Sequence, residues 1–137
     1  MRLLLAVGEA AADVDQVPSS IQILIREADE IFVMSPTLPS RIGWLASDTD
    51  KARQAGDARL QTVLSHVREM GGQAAGGTVG SDDPLVAFED AVEEFLPDHI
   101  LVGLRGSDQA AWQERGLIEQ VQDRFGLPTT VFSLDPA

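Results

Sequence analysis

The sequence predicts an α/β fold: one five-stranded parallel sheet with helices packed on both faces. Three observations lead there. Short, unbroken apolar runs recur at residues 3–7, 31–34 and 100–102. Such runs mark strands buried on both faces, which is the habit of parallel sheets. Between them lie segments with apolar residues at helical spacing, such as Leu60, Val63, Leu64, Val67 and Met70. The two kinds of segment alternate along the chain, and alternation implies right-handed crossovers with helices covering the sheet.

Taken in order, Leu3-Leu4-Leu5-Ala6-Val7 forms the first strand and stops at Gly8. Pro18-Ser19-Ser20 supplies helix-start chemistry ahead of Ile21, Leu24, Ile25 and Ala28. Ile31-Phe32-Val33-Met34 is the second strand. Residues 35–57 hold Pro36, Pro39, Gly43 and Gly56 and lack clear periodicity, although the part from Asp48 onward can extend the next helix forward. The stripe from Leu60 to Met70 follows and ends at Gly71-Gly72. Residues 73–79 contain Gly76-Gly77 and few β-branched residues, which suits a strand at a sheet edge.

Ser81-Asp82-Asp83-Pro84 opens the next helix, with an aspartate cap before a proline in the first turn. Leu85, Phe88, Val92 and Phe95 line its inner face, Glu89, Asp90, Glu93 and Glu94 its solvent face, and Pro97 ends it. The strand at Ile100-Leu101-Val102 runs into Gly103. A polar loop leads to Gly116, which opens a helix through Leu117, Ile118, Val121 and Phe125. Gly126 and Pro128 close that helix, and residues 129–134 form the last strand.

Composition narrows the function. The 137 residues fit one domain spanning 1–137. A formal net charge of −12 repels nucleic acid and anionic membrane surfaces. No apolar run approaches the roughly 20 residues of a membrane span, and residues 3–12 do not read as a secretory signal, so the cytoplasm is the expected location. Without cysteine there are no disulfides, thiol nucleophiles or thiolate metal sites. His66 and His99 lack partners at metal-ligand spacing and are expected to be structural or exposed. No nucleophile stands beside an evident base, so slow hydrolysis of a bound ligand is the most that is expected by way of catalysis.

The glycines carry the most specific signal. Gly103-Leu104-Arg105-Gly106 is followed by nine residues and then Gly116-Leu117. Glycines let backbone N–H groups approach phosphate oxygens, and a helix that starts at Gly116 adds unpaired N–H groups and its positive dipole end. This spacing resembles the nucleotide-binding branch of the universal stress proteins. So do the helix opening at Gly80-Ser81-Asp82-Asp83-Pro84 and the run Pro97-Asp98-His99-Ile100-Leu101-Val102-Gly103. The order of elements is similar over essentially the whole chain.

The resemblance implies an adenine nucleotide alpha hydrolase-like, Rossmann-like sheet of order 3-2-1-4-5 and a stress-response module. That module would weakly bind ATP, with Mg²⁺, or AMP at the loop after the fourth strand. The site residues it implies are Val7, Gly8 and Glu9 after the first strand, with Gly103, Arg105, Gly106, Ser107, Arg115, Gly116 and Leu117 after the fourth. Arg105 and Arg115 suit phosphate, and Ser107 offers a hydroxyl. Trp112 could stack on a base or pack on a neighbouring element, and Arg41 and Trp44 lie in a connection able to cover a ligand.

Three features support an alternative, a relative that has lost nucleotide binding and acts as a dimeric interaction scaffold. Leu117 stands where the family has Ser or Thr. Gly8-Glu9-Ala10 occupies the place of the first-strand aspartate, for which Glu9 or Asp13 would have to substitute. Asp108 and Glu114 put carboxylates into a phosphate loop. The resemblance also implies a homodimer through the last strand, at Thr130, Val131, Phe132 and Leu134; any further protein partner is unknown.

Overall fold

The computed structural model describes residues 1–7, 17–35, 49–80, 83–104 and 116–133. Their strands are β1 (Arg2–Val7), β2 (Glu30–Ser35), β3 (Ala74–Val79), β4 (His99–Leu104) and β5 (Thr129–Ser133). The helices between them are α1 (Ser19–Glu27), α2 (Thr49–Glu69), α3 (Pro84–Phe95) and α4 (Leu117–Phe125). The strands form one sheet of order β3-β2-β1-β4-β5, and every pairing is parallel. Fold class and strand order are those expected from sequence.

The continuous apolar runs are explained by two cores, one on each face. Leu3, Leu5, Val7, Ile31, Val33 and Leu101 face α1 and α2, where they meet Ile21, Ile25, Leu60, Val63, Leu64 and Val67. Leu4, Ala6, Phe32, Met34, Ile100 and Val102 face α3 and α4 and meet Ala87, Phe88, Ala91, Phe95 and Val121. Successive strand residues alternate between the faces, so a strand covered on both sides must be apolar throughout. β3 lies at the edge, as its glycines suggested, and a register irregularity opposite Ile31/Phe32 accompanies Gly76.

Helix boundaries follow local chemistry, with refinements. The early start considered for α2 is realised at Thr49. Ser19 and Ser20 do not cap α1. Extended Pro18 occupies the cap position, and its carbonyl accepts from the N–H groups of Ile21 and Gln22. α3 stops at Phe95, two residues before Pro97. The residue preceding a proline avoids the helical region, and Leu96 adopts a left-handed conformation there, its side chain exposed. At the other end of α3, Asp83 Oδ1 accepts from the backbone N–H of Leu85 at 3.0 Å, with Val86 N–H at 3.5 Å. Asp83→Ala should therefore lower stability by about 1 kcal/mol, read as a shift of the urea midpoint without a change of slope.

The amino edge of the sheet is tied by Arg2. Its guanidinium donates to the Phe95 carbonyl at 2.6 and 3.2 Å, pairs with Glu30 and lies 4.2 Å from the centroid of the Phe95 ring. That ring stacks on Phe32 at 5.2 Å. The Arg2 backbone N–H donates to Asp98, and the amino terminus pairs with Asp29, holding that carboxyl below its usual range. These contacts tie the amino edge, and the opposite, carboxyl edge is where each of β1–β4 gives way to the connection before the next helix.

Candidate nucleotide site at the carboxyl edge

The strand order reverses direction between β1 and β4. The chain moves outward from β1 through β2 to β3, then returns to the other side of β1. Connections on the two sides of such a switch point diverge and leave a crevice beyond the carboxyl ends of the strands. Val7 and Gly103 are register partners there, and Phe132 of β5 lies opposite Gly103 on the other side. Val7 is buried, and it is the last residue of β1.

Gly103 stands inside β4, not in a loop after it: the strand continues to Leu104. A Cβ at Gly103 would come within 2.7 Å of the Phe132 ring. Glycine here leaves room for an aromatic ring of β5 that lies across it, a role that needs no ligand. Gly116 is the N-cap of α4 in a left-handed conformation, φ +60°, with open space where a Cβ would be. No side chain of a described residue caps α4. Its first-turn N–H groups therefore retain the character of an anion-binding helix start, moderated by Glu119 in the first turn.

Of the residues assigned to the site from sequence, Val7 and Gly103 are brought together and Gly116 and Leu117 begin α4. Gly8, Glu9, Arg105, Gly106, Ser107 and Arg115 lie outside the described residues, as do Asp13, Arg41, Trp44, Asp108, Trp112, Glu114 and Leu134. Sequence reasoning missed Phe132 as the neighbour of Gly103; it was expected at an open edge and is instead only 8% exposed. It also missed Ser35, the one fully buried polar side chain among the described residues. Ser35 ends β2, and its hydroxyl accepts from Arg59 Nη1 at 3.3 Å.

His99 is structural, as expected. Its Nε2 lies 2.9 Å from Thr130 Oγ1 and links β4 to β5. Burial pushes its pKa below the ordinary 6.5, which favours the neutral ring in the folded state. Between those two values the unfolded chain binds more protons, so the contribution of His99 is fully present above about 6.5 and falls away as pH drops through that region. The urea midpoint of the parent should consequently fall more steeply from about pH 7 to pH 5.5 than that of His99→Gln. Equal slopes would show that His99 carries none of the dependence.

Among the described residues no group of three or more His, Asp or Glu side chains is arranged to hold a metal, and no helix is long and apolar enough to cross a membrane.

A five-stranded parallel sheet of order β3-β2-β1-β4-β5 with helices on both faces defines a doubly wound α/β fold of the Rossmann-like kind. Compared with solved structures, the chain is similar to a universal stress protein crystallised in complex with cAMP. The TM-score is 0.59 at 15% identity, over 96% of this chain and 97% of that one. The fold is therefore the universal stress protein fold. No protein-family model and no curated protein matches the sequence.

Proposed function

We propose that the protein is a universal stress protein-like regulatory module that binds an adenine nucleotide, ATP with Mg²⁺ or AMP, in the crevice beyond β1 and β4. The observation that carries this is the switch point itself: Val7 beside Gly103, with the uncapped start of α4 reached after the glycine spacing. The structural neighbour holds cAMP, an adenine nucleotide, which supports the ligand class. Gly103, Gly106 and Gly116 would give the backbone access, Arg105, Ser107 and Arg115 would meet phosphate, and Gly8 and Glu9 would border the nucleoside beside Val7. The module would bind without turnover, or with slow hydrolysis at most, and signalling would pass through conformation or a partner.

One observation favours the second reading, a scaffold that has lost the ligand. The packing of Phe132 accounts for Gly103 and the left-handed cap accounts for Gly116, so two of the three motif glycines have roles without any nucleotide. In either case the free edge of β5 offers a surface for a homodimer. Its backbone would pair with a second copy around exposed Val131, while Phe132 serves its own core and Thr130 serves His99.

Purified protein should release nucleotide on denaturation and show heat with ATP–Mg²⁺ or AMP in calorimetry. Gly106→Asp should abolish that heat while leaving the cooperative melt in place. No released nucleotide and no heat at high micromolar protein would leave the scaffold reading. Light scattering tests the dimer, and a monomeric mass contradicts it.

A further inference from the structure

We infer that the bulge at Ala75-Gly76 closes the β3 edge of the sheet to strand pairing, so that copies of this chain join through β5 alone and assembly stops at two. The count of two rests on the dimer reading above. The closed edge does not, and neither part depends on a nucleotide.

The ladder itself shows the bulge. Ile31 pairs with Ala74 and the next residue, Phe32, pairs with Gly76, so Ala75 is the extra residue. Gly76 holds φ +143°, a conformation that residues with a side chain rarely adopt, although a Cβ there would meet nothing within 4 Å. Glycine stands at this position for its backbone and not for space. Ala74 and Val79 pack against the same core, although they are an odd number of positions apart. Plain alternation sends such a pair to opposite faces, and the extra residue brings them back to one.

Bulges are rare in parallel pairs, and this one lies where a sheet is most open to unwanted partners. Among the described strands, β3 has a neighbour on one side only. The other side of an edge strand offers backbone N–H and C=O groups to any strand that meets it. A strand can blunt its own edge by short length, charge, proline or a bulge. β3 is as long as β2, six residues each. No charged residue and no proline occurs between Glu69 and Asp82. Of these devices β3 therefore carries only the bulge.

The opposite edge is built otherwise. β5 keeps an unbroken register with β4 from Thr129 to Ser133, and it too lacks charge and proline. Val131 on it is exposed. In a two-fold dimer the two β5 strands pair with each other, and both outer edges of the joined sheet are then β3. A regular β3 would let dimers add end to end without closure. The bulge bends the strand and breaks the spacing of its backbone groups, so a second β3 does not align with it.

The test deletes Ala75, which returns β3 to plain alternation and keeps Ala74 and Val79 on one face. Light scattering and sedimentation compare the deletion variant with the parent from low to high micromolar protein. The variant should grow past two copies as its concentration rises, while the parent does not. Thr78→Lys, a charge on the same edge, should return the deletion variant to the mass of the parent. If the Ala75 deletion loses its cooperative melt, deletion of Gly76 makes the same regular strand and carries the comparison. Failure of both deletions to fold would show that the bulge serves folding alone, and it overturns the inference. So do an unchanged mass in the deletion variant, association that Thr78→Lys does not reverse, and a parent that grows beyond two copies. A monomeric parent refutes the β5 dimer only. The deletion should then create association where the parent has none, and a deletion variant that stays monomeric overturns the closed edge as well.

Discussion

Gly103→Val is expected to destabilise the protein by about 3 kcal/mol, at the upper end of the usual cost of overpacking a core. A Cβ there would sit 2.7 Å from the Phe132 ring, and its branches would press further into a ring that is nearly buried. The strand cannot shift to make room, because Gly103 is held between Val7 and Phe132 in the ladder. Phe132→Ala alone should cost about 3–5 kcal/mol through the cavity that it leaves. In that background Gly103→Val should cost less than about 1 kcal/mol, since the branched side chain then fills the vacated space. A double-mutant cycle by urea denaturation measures the coupling, and additive costs would rule out the ring as the reason for the glycine. The same cycle bears on function: strong coupling means that glycine at this position is no sign of a ligand.

Phe88→Ala should cost about 3–5 kcal/mol, a large part of the 5–15 kcal/mol that typically holds a domain together. Phe88 is 0% exposed and stands on α3 at the centre of the core formed with Leu4, Ala6, Ile100 and Val102. Those residues belong to the inner strands, which cannot close around a lost ring without breaking their ladder. Val86→Ala, on the same helix but exposed, provides the control and should change stability by less than about 0.5 kcal/mol. A small cost for Phe88→Ala would mean that this face of the sheet repacks, contrary to a core of this density.

Much of the fold was legible in the residues because its causes are local. Leu3-Leu4-Leu5-Ala6-Val7 is apolar on both sides of the pleat, which only a doubly covered strand requires. Asp83-Pro84 announces the start of α3 through a side chain that reaches two residues along the same chain. Even the edge position of β3 could be anticipated, since glycine-rich strands are tolerated where only one neighbour depends on them. The candidate site was less legible. Gly103 and Gly116 were singled out as one loop, yet one is a strand residue under an aromatic ring and the other is a left-handed helix cap.

Sequence by itself thus determined the class of this protein: alternating buried strands and amphipathic helices, the order in which they come, and the glycine spacing at the switch point. Tertiary structure alone decided which side chains stand together at the carboxyl edge. Phe132 meets Gly103 only because β5 lies beside β4 in a particular register, and Arg59 meets Ser35 only because α2 outreaches the strand that it covers. Those pairs are 29 and 24 residues apart along the chain, a separation at which no periodicity or cap signals a neighbour. Contacts of that kind come from crossover geometry and helix length, which the packing of the whole sheet sets.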